Sequence, residues 1–344
     1  MNYPFLPKNC KSMLCKYLTP AIFESLKNLK TEYNFTLDRA IKSGVENIDS
    51  SIGVYAGDKN SYKVFASLFN PIIEDYHNFK TDSRHKTNLN IDDLNASILD
   101  EDSKYIISTR IRVGRNLENF ALGTIIDKSS RLLVEQNVSN ALLKLDGNLE
   151  GKYFPLLGMD KNTQNRLIKE HFLFKEGDRF LESAGLNRDW AEGRGIYHNF
   201  EKTFLVWINE EDQLRVISMQ KGGDIKEVFS RLIDALKELE KSLEFLYDDR
   251  LGFISSCPTN LGTAMRASVH IKLPNLSKNM KLFKEITDRH NLQIRGVDGE
   301  HSNSPDGIYD ISNRRRLGVS EVEAVQEMYD GVKELIEIEE KYDG

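Results

Sequence analysis

Apolar residues in the first part of the chain recur at helical spacing. Thr19 and Pro20 supply an N-cap and a first-turn proline for one predicted helix. A second short helix is predicted to follow Thr36 and to stop at Gly44. After Tyr76 the sequence turns polar and loses its sustained period, which is typical of a loop that crosses between domains.

From Tyr105 onward the apolar period changes to two, which predicts strands. Hairpins and irregular links outnumber regular strand–helix–strand repeats, so a mainly antiparallel sheet flanked by helices is expected. We therefore predict an α+β fold, with a small all-helical N-terminal domain over residues 1–90 and a larger domain over residues 91–344. The helices predicted in the larger domain span residues 130–145, 160–171, 224–243 and 320 to the end, the last two with capping-box-like starts.

Arginine recurs on these strand-like segments at positions that share one face. In YIISTRIRVGRN, alternation places Arg110 and Arg112 on the same side, about 6.6 Å apart. An isolated pair of this kind is usually a solvated or salt-bridged edge. Arg215, Arg266 and Arg295 repeat the pattern on three further segments, however, and burying so much positive charge without an anion is costly. Because guanidinium groups bind phosphate oxygens bidentately, the set indicates a polyphosphate ligand.

Composition narrows the class of partner. The formal net charge is −6 with both signs dispersed, so no wide basic surface is available for nucleic acid. The chain has neither a signal-peptide-like start nor an apolar run of about 18 residues, so no membrane association is expected. Cys10, Cys15 and Cys257 are spaced like neither a zinc site nor a disulfide framework, which favours a reducing cytoplasm. We expect a cytoplasmic protein, either monomer or homodimer, with small-molecule ligands.

Several nucleotide-binding motifs are absent from the sequence. It contains no P-loop, no Gly-rich dinucleotide fingerprint and no protein-kinase motif. It also lacks a compact Asp/His cluster for a dedicated metal site. Any Mg²⁺ is therefore expected to be held by nucleotide phosphates and water.

Candidate residues for a cationic acceptor lie beside the arginine strands. Glu211 in the NEED turn and Glu300 in GVDGEHS are placed to orient a cation, although a turn glutamate is often inert. Cys257 offers a thiol that could ionise beside a guanidinium, or a small buried apolar side chain. His171 and His270 are candidates for contacting a nucleotide by stacking or hydrogen bonding, or are structural histidines.

Longer stretches of the sequence closely resemble the phosphagen kinases, which phosphorylate guanidino compounds with ATP. The resemblance covers essentially the whole chain and rests on STRIRVGRN, HFLFKEGDRFL, GRGIYHN, KTFLVWINEEDQLRVISMQKGG, CPTNLGTAMRASVHI, RGVDGEHS and YDISNRRRLG. It implies a helical domain and a larger domain that close around ATP, magnesium and the acceptor, with direct in-line transfer of the phosphoryl group.

The resemblance also implies roles for individual residues. Glu211 and Glu300 would clamp the guanidinium and help remove its proton, Cys257 would contact it from another side, and Arg215 and Arg266 would act at the transferring group. The residues implied to bind the nucleotide are Ser108, Arg110, Arg112, His171, Arg215, Arg266, His270 and Arg295.

The acceptor is suggested by a short segment before the GVY strand, since family members with a short segment take larger guanidino acceptors. Ser50, Ser51 and Ile52 would offer backbone N–H groups to a carboxylate, and Tyr55 and Tyr76 match tyrosines of members that use L-arginine. L-Arginine is thus favoured over creatine, taurocyamine and lombricine. A kinase of arginine side chains in proteins and a catalytically inactive nucleotide-binding protein are the remaining alternatives.

Two departures and one ion pair complete the comparison with the family pattern. Ser51 stands where a glycine is usual, and Val297-Asp298 replaces a pair that often carries arginine. Asp49 and Arg179 match an interdomain ion pair, so breaking it is expected to weaken substrate binding.

Overall fold

The N-terminal part of the chain is helical, as predicted. The computed structural model describes residues 2–296 and 307–343. The Thr19 side chain caps the predicted helix that follows it by accepting the N–H of Ile22 at 3.2 Å, and Pro20 occupies the first turn of that helix. The helices of this part are α1 (Met13–Tyr17), α2 (Pro20–Leu26), α3 (Leu37–Glu46), α4 (Ser61–Val64) and α5 (Ala66–His77).

Gly44 does not stop its helix, because α3 continues to Glu46. The glycine instead permits a close backbone approach: a Cβ at this position would lie 2.4 Å from the carbonyl oxygen of Gly53. The predicted end of the helix was therefore wrong by two residues, and the glycine serves packing between α3 and the segment before Val54.

Two of the three cysteines are paired, contrary to the expectation from their spacing. Cys10 and Cys15 form a disulfide, with Cα atoms 6.1 Å apart. The short separation is bridged because α1 begins at Met13, capped by the Ser12 hydroxyl that accepts the N–H of Cys15, so the first turn brings Cys15 back towards Cys10. Cys257 is free and buried.

Over the described residues, the larger part is built on an eight-stranded sheet of order β2-β3-β4-β5-β1-β8-β10-β9, in which every adjacent pair is antiparallel. The predicted α+β class is confirmed. The strands are β1 (Ile106–Arg115), β2 (Gly151–Pro155), β3 (Gly195–Asn199), β4 (Phe204–Ile208), β5 (Leu214–Lys221), β6 (Tyr247–Asp248), β7 (Gly252–Phe253), β8 (Met265–Lys272), β9 (Leu292–Gly296) and β10 (Ile308–Asn313), with β6 and β7 forming a separate hairpin.

Helices pack against this sheet with the predicted caps. Asp224 accepts the N–H of Glu227, and Ser320 and Glu323 exchange hydrogen bonds as a capping box. The first three helices predicted for this part were expected to end at residues 145, 171 and 243. They end two to three residues earlier, at Leu142, Lys169 and Glu240, as is common at frayed helix ends. The helices are α6 (Lys128–Leu142), α7 (Lys161–Lys169), α8 (Arg179–Ser183), α9 (Ile225–Glu240), α10 (Met280–Arg289) and α11 (Glu321–Asp343).

The two faces of the sheet differ in chemistry because side chains alternate along each strand. One face carries Ile111, Val113, Val216 and Ala267 into the main apolar core beneath α9 and α11. The opposite face carries the strand arginines.

The N-terminal helices share a second apolar core with the larger part, which includes Cys257. Ala56 N–H donates to Ser256 O at 2.7 Å, and the Tyr62 hydroxyl donates to Ser255 O at 2.7 Å. The two parts therefore meet beside Cys257, while the boundary near residue 90 stays a prediction. Among residues 2–296 and 307–343, no helix combines the length and apolarity needed to cross a bilayer.

Candidate active site

Strand register brings four of the predicted arginines together on one face of the sheet. Arg112 on β1 lies directly opposite Arg266 on β8, and Arg110 lies opposite Ser268. On the other side of β1, Arg215 of β5 lies opposite Gly114. Because β1 is the central strand between β5 and β8, four guanidinium groups converge on one surface, as the alternation predicts.

The arginines repel one another in the ligand-free protein. Burial, followed by the charges of Arg215 and Arg266, lowers the pKa of Arg110 to about 10. Burial and the same neighbours also lower the pKa of Arg112 well below its ordinary value. Within the described residues, Arg110 Nε and Nη2 and Arg266 Nε have no hydrogen-bond acceptor. Crowded positive charge with unused N–H donors is the arrangement that a polyanion would stabilise.

Arg215 is held by two adjacent carboxylates of the β4–β5 turn. Its Nη1 lies 2.8 Å from Glu210 Oε2, and its Nη2 lies 3.0 Å from Glu211 Oε2. Burial lowers the pKa of Arg215, but Glu210, Glu211 and Asp212 more than offset that effect, so the pKa stays above its ordinary value. The guanidinium is therefore fixed in position and fully charged.

Glu211 occupies the junction between the arginine face and Cys257. Asn260 Nδ2 donates to its Oε1 at 3.3 Å, while Arg215 takes the other oxygen. Burial raises the pKa of Glu211 to about 7, against the lowering effect of Arg215. A carboxylate whose pKa lies near 7 is suited to hold a cation and to exchange a proton with it.

Cys257 lies beside Glu211 and the N-terminal part. Its Sγ contacts the Thr259 hydroxyl at 3.0 Å, and burial and then the Glu211 charge raise the pKa of the thiol to about 12. Tyr55 is buried on the same junction, and burial, Cys257 and Glu211 all raise the pKa of its hydroxyl. The thiol is therefore protonated in the ligand-free protein, and its ionisation requires a nearby cation.

Asp310 on β10 organises the opposite end of the arginine face and was not singled out from the sequence. Its Oδ1 accepts from Arg266 Nη2 at 2.6 Å, and its Oδ2 lies 3.2 Å from His270 Nε2. The register places Asp310 between His270 on β8 and Arg295 on β9, and Ser108 on β1 opposite His270. Alternation along IYDISN, which sets Asp310 and Ser312 on one face, was the available signal.

Two further residues contribute to the site in ways that the sequence did not reveal. The Trp207 ring lies 5.5 Å from Arg110 Cζ and 5.8 Å from Arg215 Cζ. Arg316 is only partly exposed and donates to the side chain of Asn260, the same residue that contacts Glu211. Its neighbour Arg314 is exposed.

The predicted acceptor segment lies beside α3 and the N-terminal loop. Ser50 and Ile52 are buried, and the N–H of Ser50 donates to Asn47 O at 2.9 Å. For the N–H groups of Ser51 and Ile52, the described part of the chain offers no acceptor. These two amides are the ones available to a ligand carboxylate.

The predicted ion pair between Asp49 and Arg179 is present and exposed. Arg179 Nη1 donates to Asp49 Oδ1 at 2.9 Å, and its Nη2 pairs with Oδ2. Arg179 also donates to Asn47 Oδ1 at 3.1 Å. The contact joins α8 of the larger part to the end of α3.

The structure gives no assignment for three further predicted residues. His171 follows α7, is exposed, and its side chain makes no hydrogen bond within the described ranges. Tyr76 is 48% exposed on α5. Glu300, like Val297-Asp298, lies outside the described residues. Their roles stay predictions.

Comparison with known proteins finds similarity along nearly the whole chain. Residues 8–74 match the family described as ATP:guanido phosphotransferase, N-terminal domain, and residues 133–342 match its C-terminal catalytic domain. Arginine kinase Met e 2 of Metapenaeus ensis is 52% identical over 97% of this chain and 94% of its own length. An arginine kinase of Anthopleura japonica is 54% identical over 97% of this chain, which spans only 47% of that longer protein. A crystal structure of lombricine kinase superposes with a TM-score of 0.93, 40% identity and coverage of 99% of this chain and 95% of its own.

Proposed function

Because the chain belongs to the ATP:guanido phosphotransferase family, we propose that it transfers the γ-phosphoryl group of ATP reversibly to the guanidino group of L-arginine, giving phosphoarginine and ADP. The observation that carries this proposal is the convergence of Arg110, Arg112, Arg215 and Arg266 beside Glu211 and Cys257. One side of the site suits a triphosphate and the other suits a cation.

The arginine face supplies most of the catalysis in this proposal. A phosphoryl group in transfer spreads negative charge over its oxygens, and guanidinium groups fixed before the reaction stabilise that charge without reorganisation. Arg215 is fixed by Glu210 and Glu211, and Arg266 is fixed by Asp310. Their geometry is thus set by the protein before the nucleotide arrives.

Glu211 holds the acceptor and removes its proton. A substrate guanidinium beside the Glu211 carboxylate adds to the positive charge of Arg215 and favours the ionised form. As the guanidino nitrogen attacks the γ-phosphorus, it loses a proton, and a carboxylate whose pKa lies near 7 is matched to accept it. Glu300 is proposed as the second carboxylate, and Cys257 as the thiol that contacts the guanidinium from the side of Tyr55.

Magnesium belongs to the proposal as a partner of the nucleotide. Within the described residues, no three His, Cys, Asp or Glu side chains come together as a metal site. The carboxylates near the arginines are engaged by protein donors, namely Arg215 for Glu210 and Arg266 for Asp310. This donor set fits an ion carried on nucleotide phosphates and water, where it would neutralise charge on the β- and γ-phosphates. We also propose a cytoplasmic location, where ATP is available.

L-Arginine is proposed as the acceptor on the basis of the short segment around Ser51 and of the resemblance to arginine kinases. The free amides of Ser51 and Ile52 support this choice, since L-arginine carries an α-carboxylate at the end opposite its guanidinium. The likeness to lombricine kinase makes lombricine the acceptor to test beside it.

An ADP-release assay with a panel of acceptors tests the proposal. L-Arginine, lombricine, taurocyamine and creatine are offered separately with ATP and Mg²⁺, and kcat/KM is expected to be highest for L-arginine by at least about tenfold, the discrimination that one well-placed contact supplies. A higher value for another acceptor would replace L-arginine in the proposal. Labelling of an arginine-rich protein in preference to the free amino acid would assign the chain to protein-arginine phosphorylation instead.

A further inference from the structure

The Cys10–Cys15 disulfide closes a loop that lies directly against the proposed acceptor segment. Two consecutive backbone amides at the start of α1 donate into that segment: Met13 N–H to Ser51 O and Leu14 N–H to Ile52 O, both at 3.0 Å. The two carbonyls belong to the residues whose own N–H groups are available to a carboxylate.

Side-chain packing strengthens the same contact. Leu14 is fully buried, and a Cβ added to Gly53 would lie only 2.9 Å from Leu14 Cβ. Ser12 is also buried, and its hydroxyl accepts the N–H of Cys15 while lying 3.3 Å from Cys10 Sγ. The disulfide thus fixes both ends of a short loop whose middle residues position the segment from Ser51 to Gly53.

We propose that the Cys10–Cys15 disulfide is a positioning element for the acceptor site, and that its reduction lowers the affinity for the guanidino substrate. The inference rests on the proposed function in so far as the segment binds the acceptor. Cross-linking restricts the loop to conformations in which Met13 and Leu14 meet the carbonyls of Ser51 and Ile52. Opening the cross-link releases that restriction, so the Ser51 and Ile52 amides are held less firmly.

The chemical step is ordinary thiol–disulfide exchange with a low-molecular-weight thiol. A thiolate attacks one sulfur of the half-buried disulfide and forms a mixed disulfide, while the other cysteine leaves as a thiolate and takes up a proton. A second small thiolate then attacks the small-molecule sulfur of the mixed disulfide and releases the remaining protein cysteine, so that two small thiols become one small disulfide and the protein gains two electrons and two protons. In a cytoplasm rich in such thiols, the acceptor affinity would follow the thiol–disulfide balance.

A matched pair of proteins tests the proposal. Wild type and the double variant Cys10→Ser/Cys15→Ser are each assayed after exposure to oxidised glutathione and after dithiothreitol. Reduction is expected to raise the KM for the acceptor of the wild type by roughly 3- to 10-fold, with kcat and the KM for ATP unchanged. The variant is expected to show the raised KM under both conditions. Because the variant retains Cys257, any effect of dithiothreitol on that thiol appears in both proteins and is subtracted.

Hydrogen exchange gives a readout that does not depend on turnover or on the variant folding. Amides of Met13 and Leu14 in the wild type should exchange faster after reduction, whereas amides of β1 should not change. Equal exchange in the two redox states, or an acceptor KM that is the same for oxidised and reduced wild type, would overturn the proposal. Peptide mass spectrometry that finds no Cys10–Cys15 cross-link in the oxidised protein would do the same. If L-arginine is not the acceptor, the exchange result still decides the question.

Discussion

The two sides of the proposed active site are built in different ways. The nucleotide side is carried on adjacent strands, where register alone sets Arg112 opposite Arg266. The acceptor side is assembled from a segment around Ser51, the turn at Glu211 and the loop at Cys257, which meet through contacts between the two parts of the chain. A strand-borne site is rigid before binding, whereas a segment-borne site depends on how its pieces are held.

This contrast predicts which mutations affect turnover and which affect acceptor binding. On the sheet, a substitution acts locally, because the neighbouring hydrogen-bonded strands hold the backbone in place. On the acceptor side, contacts some distance from the ligand, such as those of Asp49 or Leu14, affect the position of the binding groups. Mutations on the two sides should therefore separate into effects on turnover and effects on acceptor affinity.

The largest effect is expected from Arg266→Lys on the nucleotide side. Lysine keeps the charge but cannot present the planar fork that contacts phosphate oxygens while holding Asp310, so kcat should fall by about a thousandfold, or roughly 4 kcal/mol of transition-state stabilisation. Steady-state kinetics with saturating ATP and acceptor measure it. Arg314→Lys is the matched control, since Arg314 is exposed and pairs with Asp288 on the surface. Near-native turnover of Arg266→Lys would remove Arg266 from the site.

Glu211→Gln should produce the next largest loss, because Glu211 stands where the two sides meet. Glutamine retains the shape but neither neutralises Arg215 nor accepts a proton, so kcat should fall by about a hundredfold. The KM for the acceptor should rise, while the KM for ATP changes little. Glu238→Gln serves as control, since Glu238 forms only a surface pair with Lys241. Loss of ATP affinity alone would assign Glu211 to the nucleotide side.

Features set by local sequence patterns could be predicted, whereas features set by contacts between distant residues could not. Alternation placed Arg110 and Arg112 on one face, and capping residues located helix starts such as those at Thr19 and Asp224. These are local rules. Asp310, Arg316 and the Cys10–Cys15 pair were missed because each acquires its role from partners brought close by the fold. Arg316, for instance, meets Asn260 fifty-six positions earlier, a contact that no local pattern contains.

Burial of Glu211 also predicts a pH-dependent stability of the ligand-free protein. Its pKa is raised to about 7 in the folded state, above the unfolded value, so its contribution favours folding below the unfolded pKa and is lost as the pH rises through about 7. Between pH 5 and 8 the loss should amount to at most about 3 kcal/mol. Thermal melting across this range should show a steeper decline for wild type than for Glu211→Gln. Parallel curves would show that the folded carboxyl titrates as in the unfolded chain.

The smallest of these effects, and the one that separates the two sides most sharply, is expected from Asp49→Gly. The Asp49–Arg179 pair is exposed, so its contribution to the stability of the fold is small. Its proposed role is to hold α8 against the end of α3, next to Ser50 and Ser51. Losing it should raise the KM for the acceptor by about three- to tenfold with little change in kcat.

A comparison with Glu24→Gln decides whether that effect belongs to the site. Glu24 and Lys27 form another surface pair, but both partners belong to α2 and its C-terminal cap, so its removal should leave both KM values unchanged. Titration of the acceptor at saturating ATP measures both variants. Unchanged acceptor binding in Asp49→Gly would refute the role of the pair, and equal losses in both variants would indicate a general loosening of the N-terminal part. An increase confined to Asp49→Gly would show that acceptor affinity depends on contacts between the two parts of the chain.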